Sequence, residues 1–327
     1  MKPFRYERVD DPVGAATLVA DTPRAKFLGG GTNLVDLMRL GVESPVLLVD
    51  VSHLAGAEVR ETSSGGLSIG AAVRNSDLAA HPLVHERYPL LSSALLQGAS
   101  GQLRNLATTG GNLLQRTRCA YFQDVSKPCN KREPGTGCPA VEGEHRSLAI
   151  LGWSNACVAT HPSDMAVAMA ALDAVVQLEG PAGPRSIPLL DLHRLPGDAP
   201  DRDTVLEPGE LIAAIELPEP LTANARYAKV RERASFSFAV VSLAAALEVR
   251  DGRVHTARLA LGGVAHKPWR ARRAEAVLQG ARPSEEVFEQ AAAAELEAAQ
   301  PLRDNAYKVG LARRLITSVL GDLAREA

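Results

Sequence analysis

Two separate segments of small residues limit the fold of this sequence more than any other feature. The first, Gly29-Gly30-Gly31, lies between an apolar stretch that ends at Leu28 and a segment with helical spacing that begins at Leu34. The second runs from Ala107 to Asn112. Glycines between a strand and a helix let the backbone approach a ligand and leave N–H groups free to bind a diphosphate. The first loop alone is equally compatible with a tight turn, but a long dinucleotide needs two close-approach loops, and the sequence has both.

The pattern around the first segment predicts a β-α-β-α-β unit of about fifty residues. Its strands are expected from Phe4 to Val9, up to Leu28, and from Val46 to Val51, with helices after Asp11-Pro12 and from Leu34. Further strands are expected at 67–72, 174–178 and 211–217, and further helices begin near Ser76, Pro89 and Ser163. After Pro218, a meander of three strands at 226–231, 240–250 and 253–261 precedes two or three helices.

The composition excludes several classes of protein. With 327 residues, the chain is long enough for two or three domains, each with its own core. Hydrophobic residues make up 46% and charged residues 23%, and the net charge is −2, so we expect neither disorder nor nucleic-acid binding. The N-terminal MKPFRYERVDDP is charged where a secretory signal is apolar, and no apolar run reaches the length of a membrane span. We therefore expect no export signal on this chain and no membrane association.

All four cysteines fall within one segment of 39 residues, with the spacing Cys119-x9-Cys129-x8-Cys138-x18-Cys157. This clustering, among many turn residues, predicts a single local structure with few helices or strands. Structural zinc favours pairs of cysteines two to four residues apart, and no such pair is present. The spacing fits an iron–sulfur cluster, and it fits two disulfides in an oxidising compartment equally well.

The two small-residue segments, at Lys26 to Leu34 and Ala99 to Asn112, resemble the FAD-binding segments of the flavoprotein subunits of molybdenum hydroxylases, a family that includes xanthine dehydrogenase, aldehyde oxidoreductase and carbon monoxide dehydrogenase. The resemblance covers essentially the whole chain, and Arg116 to Cys138 is similar to a cysteine loop of the bacterial periplasmic aldehyde oxidoreductases. It implies an α+β fold with a PCMH-type FAD-binding domain at 1–218, made of subdomains 1–55 and 56–218. A cysteine-rich loop at 113–160 is inserted there, and residues 219–327 form a C-terminal domain with a three-stranded antiparallel sheet and helices.

The resemblance also implies which residues bind FAD. Phe27 to Leu34 would surround the diphosphate, Ala99 would lie near the isoalloxazine ring, and Asp164 would bond the ribose, although Ser163-Asp164 is also an ordinary helix cap. Lys229 would stabilise negative charge on reduced flavin. The complete expected set is Lys26, Phe27, Leu28, Gly29, Gly30, Gly31, Thr32, Asn33, Leu34, Ala99, Ala107, Thr108, Gly110, Gly111, Asn112, Asp164, Ile212 and Lys229.

For the cysteines, the resemblance implies a [4Fe–4S] cluster held by Cys119, Cys129, Cys138 and Cys157. The loop leaves directly from an FAD-binding segment, so we expect the cluster within electron-transfer reach of the flavin. Lys127, Lys131 and Arg132 are candidates to offset the negative charge of a thiolate-bound cluster. For any one of them, a solvated loop charge is the alternative interpretation.

No Ser-His-Asp order, HExxH motif or pair of carboxylates suggests catalysis, so we expect no catalytic residues for substrate oxidation; His266 is expected to be structural or to lie at a subunit interface. The resemblance implies an electron-transfer subunit of an aldehyde-oxidising heterotrimer. Its partners would be a large molybdenum-cofactor subunit and a small [2Fe–2S] subunit. The expected compartment is the periplasm, reached with a partner that bears a Tat signal, with the cytoplasm as the alternative. A stand-alone flavin oxidoreductase and a non-catalytic nucleotide-binding module are the rival interpretations.

Overall fold

The first unit of the fold is a small parallel sheet. The structure, a computed structural model, describes residues 1–54, 56–222 and 224–327. Its first elements are β1 (Arg5–Arg8), α1 (Pro12–Asp21), β2 (Ala25–Leu28), α2 (Leu34–Arg39) and β3 (Leu47–Asp50). The strands pair in the order β1-β3-β2, all parallel. Helix α1 begins as predicted, because the Asp11 carboxylate accepts from the Gly14 N–H and Pro12 occupies the first turn. The predicted β-α-β-α-β unit is therefore confirmed.

A five-stranded antiparallel sheet forms the second unit. Its strands are β4 (Val59–Glu61), β5 (Leu67–Gly70), β6 (Val175–Glu179), β7 (Arg185–Pro188) and β8 (Leu211–Leu217), in the order β4-β5-β8-β6-β7. The helices of this unit are α3 (Asn75–Ala80), α4 (Pro82–Arg87), α5 (Pro89–Gln97), α6 (Gly101–Arg104), α7 (Thr109–Leu113), α8 (Ala120–Gln123), α9 (Asp164–Ala171) and α10 (Leu189–Leu192). Helix α9 is buried along its whole length, as expected for a helix that is apolar on all sides.

The C-terminal unit contains β9 (Ala225–Val230), β10 (Val241–Arg250), β11 (Arg253–Gly262) and β12 (Trp269–Arg270), followed by α11 (Arg272–Leu278), α12 (Glu285–Leu296) and α13 (Tyr307–Glu326). Its sheet has four strands, in the order β12-β11-β10-β9, so the prediction of three strands was wrong by one. The additional strand pairs only two residues with β11, which is too short for a sequence pattern to show. Among the described residues, no helix is both long and apolar enough to cross a membrane.

Of the two predicted domain boundaries, one lies between two sheets and the other lies outside the described residues. The division after 218 lies between β8 and β9, where the chain passes from the second sheet to the third. The division of the first domain at 55 falls on Ala55, which lies outside the described residues.

The cysteine loop contains little regular structure, as predicted. Between α7 and α9 it has only the four residues of α8 and one 3₁₀ turn at Pro139–Val141. The C-terminal unit holds its last part: the Asn305 amide donates to the Ala149 carbonyl at 3.1 Å, and the Lys308 ammonium donates to the Leu148 carbonyl at 2.8 Å and to the Gly263 carbonyl. The Ile150 and Leu151 N–H groups also donate to the Val264 carbonyl, at 2.9 and 3.0 Å. The loop is thus ordered by side-chain contacts and by isolated backbone hydrogen bonds, with few helices or strands.

Candidate functional site

A cleft of about 1850 Å³ lies where the first two units and the start of the third meet. The structure brings every predicted FAD-binding residue to its wall. These are Lys26, Phe27, Leu28, Gly29, Gly30, Gly31, Thr32, Asn33, Leu34, Ala99, Ala107, Thr108, Gly110, Gly111, Asn112, Asp164, Ile212 and Lys229. The two small-residue segments, distant in sequence, therefore form one site.

The glycines allow the two segments to touch. A Cβ atom on Gly30 would lie 1.8 Å from the Leu106 carbonyl oxygen, and one on Gly29 would lie 2.8 Å from the Thr108 hydroxyl. Both distances are shorter than a Cβ atom can tolerate. The backbone of Gly31 also has a φ of +71°, which favours glycine. The glycine segment is thus fixed against the second segment, and this contact sets the width of the cleft.

Backbone donors in the glycine segment are available to a ligand. The N–H groups from Gly29 to Asn33 donate to no backbone oxygen within the ranges 1–54, 56–222 and 224–327. Successive free N–H groups in a turn form a concave site for anions. A diphosphate placed over this segment would find several donors without any side chain between.

Asp164 occupies the cleft wall, where it is already paired with protein groups. The Ser163 hydroxyl accepts from the Ala166 N–H at 2.9 Å and Asp164 lies in the first turn of α9, so the alternative interpretation of Ser163-Asp164 as an ordinary helix cap is confirmed. The Asp164 carboxylate accepts from the Lys229 ammonium at 2.8 Å and from the Tyr227 hydroxyl. Burial raises the pKa of Asp164, against the opposing effect of Lys229. Tyr227 was not predicted, because it lies more than sixty positions from Asp164 in the sequence.

The four cysteines line one small cavity beside the cleft, and all four are free thiols. A hydrogen bond with Cys157, despite the opposing effect of burial, lowers the pKa of Cys138 to about 6. Burial raises the pKa of Cys119. In the described part of the chain, no three His, Cys, Asp or Glu side chains are grouped as ligands of a metal ion. The thiols thus converge without the arrangement of a single-ion site.

Lys131 is the one charged side chain on the cavity wall, which is otherwise apolar apart from the thiols and Tyr121. Its side chain is only 1% exposed, so the alternative of a solvated charge was wrong for Lys131. The Arg132 guanidinium instead donates to the carbonyls of Phe122, at 2.7 Å, and of Lys127, whose own side chain is exposed. Of these three candidate cations, Lys131 therefore lines the thiol cavity, with its ammonium paired to Asp203.

Comparison with known proteins identifies the family. The family model of the FAD binding domain in molybdopterin dehydrogenase matches residues 2–220, and the model of the CO dehydrogenase flavoprotein C-terminal domain matches residues 225–323. The chain belongs to the family of molybdenum hydroxylase FAD subunits. It is an oxidoreductase subunit whose first domain binds FAD.

Relatives of this FAD subunit match along its whole length. It is 54% identical to the aldehyde oxidoreductase FAD-binding subunit PaoB of Escherichia coli strain K12, over 100% of both chains. Among solved structures, quinoline 2-oxidoreductase of Pseudomonas putida 86 has a TM-score of 0.76 at 26% identity and covers 100% of this chain and 99% of that one. Carbon monoxide dehydrogenase of Hydrogenophaga pseudoflava has a TM-score of 0.76 at 27% identity, with 98% of each chain covered.

Three histidines, of which His193 and His266 are buried, lie between the cleft and the cysteine cavity of the FAD subunit. His161 and His193 have ring centroids 4.4 Å apart, and both Nε2 atoms face the Leu113 carbonyl. Burial lowers the pKa of His193 to about 4, and burial together with Lys131 lowers that of His266 to about 3. His266 is buried within this chain, and its role, structural or at a subunit interface, stays a prediction.

Aromatic side chains at the mouth of the cleft were not predicted. The Arg118 guanidinium lies 5.2 Å from the centre of the Phe238 ring, and Arg233 lies 5.6 Å from that of Phe236. All four residues line the cleft, and both phenylalanines are exposed. Because they lie on a loop without periodic pattern, the sequence offered no signal that would place them at the site.

Proposed function

We propose that this FAD subunit takes electrons from a molybdenum subunit and a [2Fe–2S] subunit of an aldehyde oxidoreductase and passes them to an external acceptor. The observation that carries the proposal is the position of the four-thiol cavity directly beside the dinucleotide cleft in one chain. The 54% identity with a whole FAD-binding subunit named for aldehyde oxidation supports the substrate class. No catalytic residues for the aldehyde are assigned to this chain.

FAD fits the cleft because the cleft offers what a dinucleotide requires. The free N–H groups of the glycine segment would bind the diphosphate, and the second small-residue segment would contact the opposite side of the diphosphate. Lys229, held by Asp164, would supply positive charge near the ring. Bound FAD accepts electrons singly or in pairs, which suits transfer between iron–sulfur centres and a two-electron acceptor.

The cysteine cavity suits a [4Fe–4S] cluster in its donors and its surroundings. Four thiols face it, none of them is in a disulfide, and a buried lysine lies on its wall to offset the negative charge of thiolate ligands. Cys119, Cys129, Cys138 and Cys157 would hold the cluster. It would carry electrons to or from the flavin.

We further propose that the complex works in the periplasm, where it would be carried by a partner that bears the export signal. The supporting argument is the similarity to periplasmic aldehyde oxidoreductases. Cell fractionation with an antibody against this chain tests the location. Detection only in the cytoplasmic fraction would remove the proposal and leave the redox function unaffected.

An absorption spectrum of the purified complex tests the redox proposal. Flavin bands with a broad iron–sulfur shoulder, both bleached on reduction, are expected. A colourless chain would indicate a nucleotide-binding module, and a chain that oxidises a donor without its partners would indicate a stand-alone flavin oxidoreductase.

The cysteine site is tested separately with Cys138→Ser. This variant is expected to lose iron and keep enough flavin to be detected. Iron content equal to that of the wild type would rule out Cys138 as a ligand and defeat the cluster assignment.

A further inference from the structure

A chain of charged side chains connects the dinucleotide cleft to the cysteine cavity. The Arg116 backbone N–H donates to the Asn33 side-chain oxygen at 2.8 Å, and its guanidinium donates to Glu43 at 2.7 Å. Both acceptors line the cleft. On the other side, the Arg116 guanidinium donates to Asp203 at 2.7 Å and lies 4.6 Å from the centre of the Phe122 ring, which lines the cysteine cavity. Arg116 therefore contacts the walls of both sites.

Lys131 completes this connection inside the cysteine cavity. Its buried ammonium donates to the second carboxylate oxygen of Asp203 and to the Pro200 carbonyl at 2.7 Å. Burial disfavours the charged form of Asp203, but Lys131 and Arg116 together hold the pKa of Asp203 well below its usual range. Lys131 is buried, whereas Asp203 and Arg116 are partly buried. Removing one member of such an ionic group leaves a partner charge less well compensated, so a displacement of Lys131 also changes the surroundings of Asp203 and Arg116.

The part of the cysteine loop that carries Lys131 has almost no regular structure, and in the described chain the backbone hydrogen bonds of residues 117–148 stay within that segment. Its position therefore depends on side-chain contacts and on what its thiols hold. A metal cluster bound to Cys129 fixes the backbone two residues from Lys131. Lys131 is bonded to Asp203, Asp203 to Arg116, and Arg116 to Asn33 at the end of the glycine segment. The placement of Lys131 therefore influences the placement of Asn33.

We propose that Arg116, Asp203 and Lys131 are positioning residues that couple the two sites, so that a metal cluster on the thiols strengthens FAD binding and bound FAD slows loss of the cluster. The coupling rests on the [4Fe–4S] cluster of the proposed function. Coupling between two binding sites is reciprocal, and it commonly changes affinity by about 5- to 150-fold.

The test is a double-mutant cycle on the full-length chain. FAD is removed, and its rebinding is measured by fluorescence titration in the wild type, Cys138→Ser, Lys131→Met and the double variant. Each single variant is expected to weaken FAD binding by about 5-fold or more. The double variant is expected to bind FAD no more weakly than the single variant that has the lower FAD affinity. Effects that multiply would overturn the proposal. So would unchanged FAD affinity in a Cys138→Ser chain that has lost its iron.

Two variants separate this coupling from a general loss of structure. Lys127→Met removes the same charge from an exposed position of the same loop, and it should leave FAD affinity and iron content as in the wild type. Lys131→Arg restores the cation and should recover much of the FAD affinity. Equal losses of FAD affinity in Lys127→Met and Lys131→Met would contradict a role for the bridge that Arg116, Asp203 and Lys131 form between the two sites.

If Lys131→Met does not fold, Arg116→Gln tests the same bridge from the side of the cleft. Arg116 makes its side-chain hydrogen bonds to Asp203 and Glu43, and none to a cysteine. The expected result is a faster loss of iron to a chelator, and a rate equal to that of the wild type would overturn the proposal.

Iron content distinguishes failure of the coupling from failure of the proposed function. If the wild-type chain binds FAD but contains no iron, both the cluster assignment and the coupling are wrong. If the wild type contains iron but the two substitutions act independently on FAD affinity, only the coupling is wrong.

Discussion

The dinucleotide cleft and the cysteine loop lie side by side, yet they are ordered by different means. The cleft is built by backbone: two glycine-rich segments meet at a distance that no Cβ atom permits. The loop is held largely by side chains: Lys131 binds a carbonyl and a carboxylate of the second unit, and Asn305 and Lys308 of the C-terminal unit bind carbonyls of the loop. A site formed by the backbone of glycine segments can be recognised in the sequence, because the glycines themselves mark it. A site formed by side-chain contacts cannot, because the partners are far apart in the chain.

The largest effect is expected where a single side chain holds the loop. Lys308→Met should lower the free energy of unfolding by about 4 kcal/mol, because it leaves the carbonyls of Ser147 and Gly263 without their side-chain donor and the Leu148 carbonyl with only the Asn305 amide at 3.5 Å. Urea unfolding measures this. Arg314→Met, at an exposed position of the same helix, is the matched control and should change stability by less than about 0.5 kcal/mol. Equal stability of the two variants would show that the loop does not depend on Lys308.

A smaller loss of stability, with a specific loss of cofactor, is expected in the cleft. Gly30→Ala places a Cβ atom against the Leu106 carbonyl, so the two segments must separate, which should cost about 2 kcal/mol and most of the bound FAD. The control is Gly101→Ala, where a Cβ atom would meet nothing within 4 Å. Flavin content after gel filtration is the measurement. Full retention of FAD in Gly30→Ala would mean that the contact between the segments does not shape the site.

The effect that is smallest at neutral pH, and that grows only in acid, concerns the histidines between the two regions. The folded-state pKa of His193, about 4, lies below that of an unfolded histidine, about 6.5, so the unfolded chain binds more protons between these values. Its contribution is fully present above pH 6.5 and is lost as the pH falls toward 4, by about 1.4 kcal/mol per pH unit. His193→Gln should make the decline of unfolding free energy with acid less steep. His255→Gln, at an exposed site, should not.

Much of the fold and most of the cleft could be predicted from the sequence. Hydrophobic periodicity placed the first βαβαβ unit and the strand Leu211–Leu217, and capping residues marked the start of α1. The small-residue segments indicated a dinucleotide site because the absence of side chains is itself visible in a sequence. The assignment of individual FAD contacts came from resemblance, and each remains a prediction that the cleft geometry makes testable.

What could not be predicted depends on contacts between distant residues. Lys131 looks like an ordinary loop lysine until Asp203 is brought to it, and Tyr227 gains its role only beside Asp164. The two-residue strand β12 is too short to leave a pattern. The Phe238 side chain lies on an irregular loop, where position follows from packing and not from periodicity.

Quantitation of FAD released from the purified complex tests the central claim most directly. If the two glycine-rich segments form one dinucleotide site, wild-type complex contains stoichiometric FAD, Gly101→Ala retains it, and Gly30→Ala loses most of it. A wild-type complex that is folded, complete in its subunits and free of flavin would contradict the account.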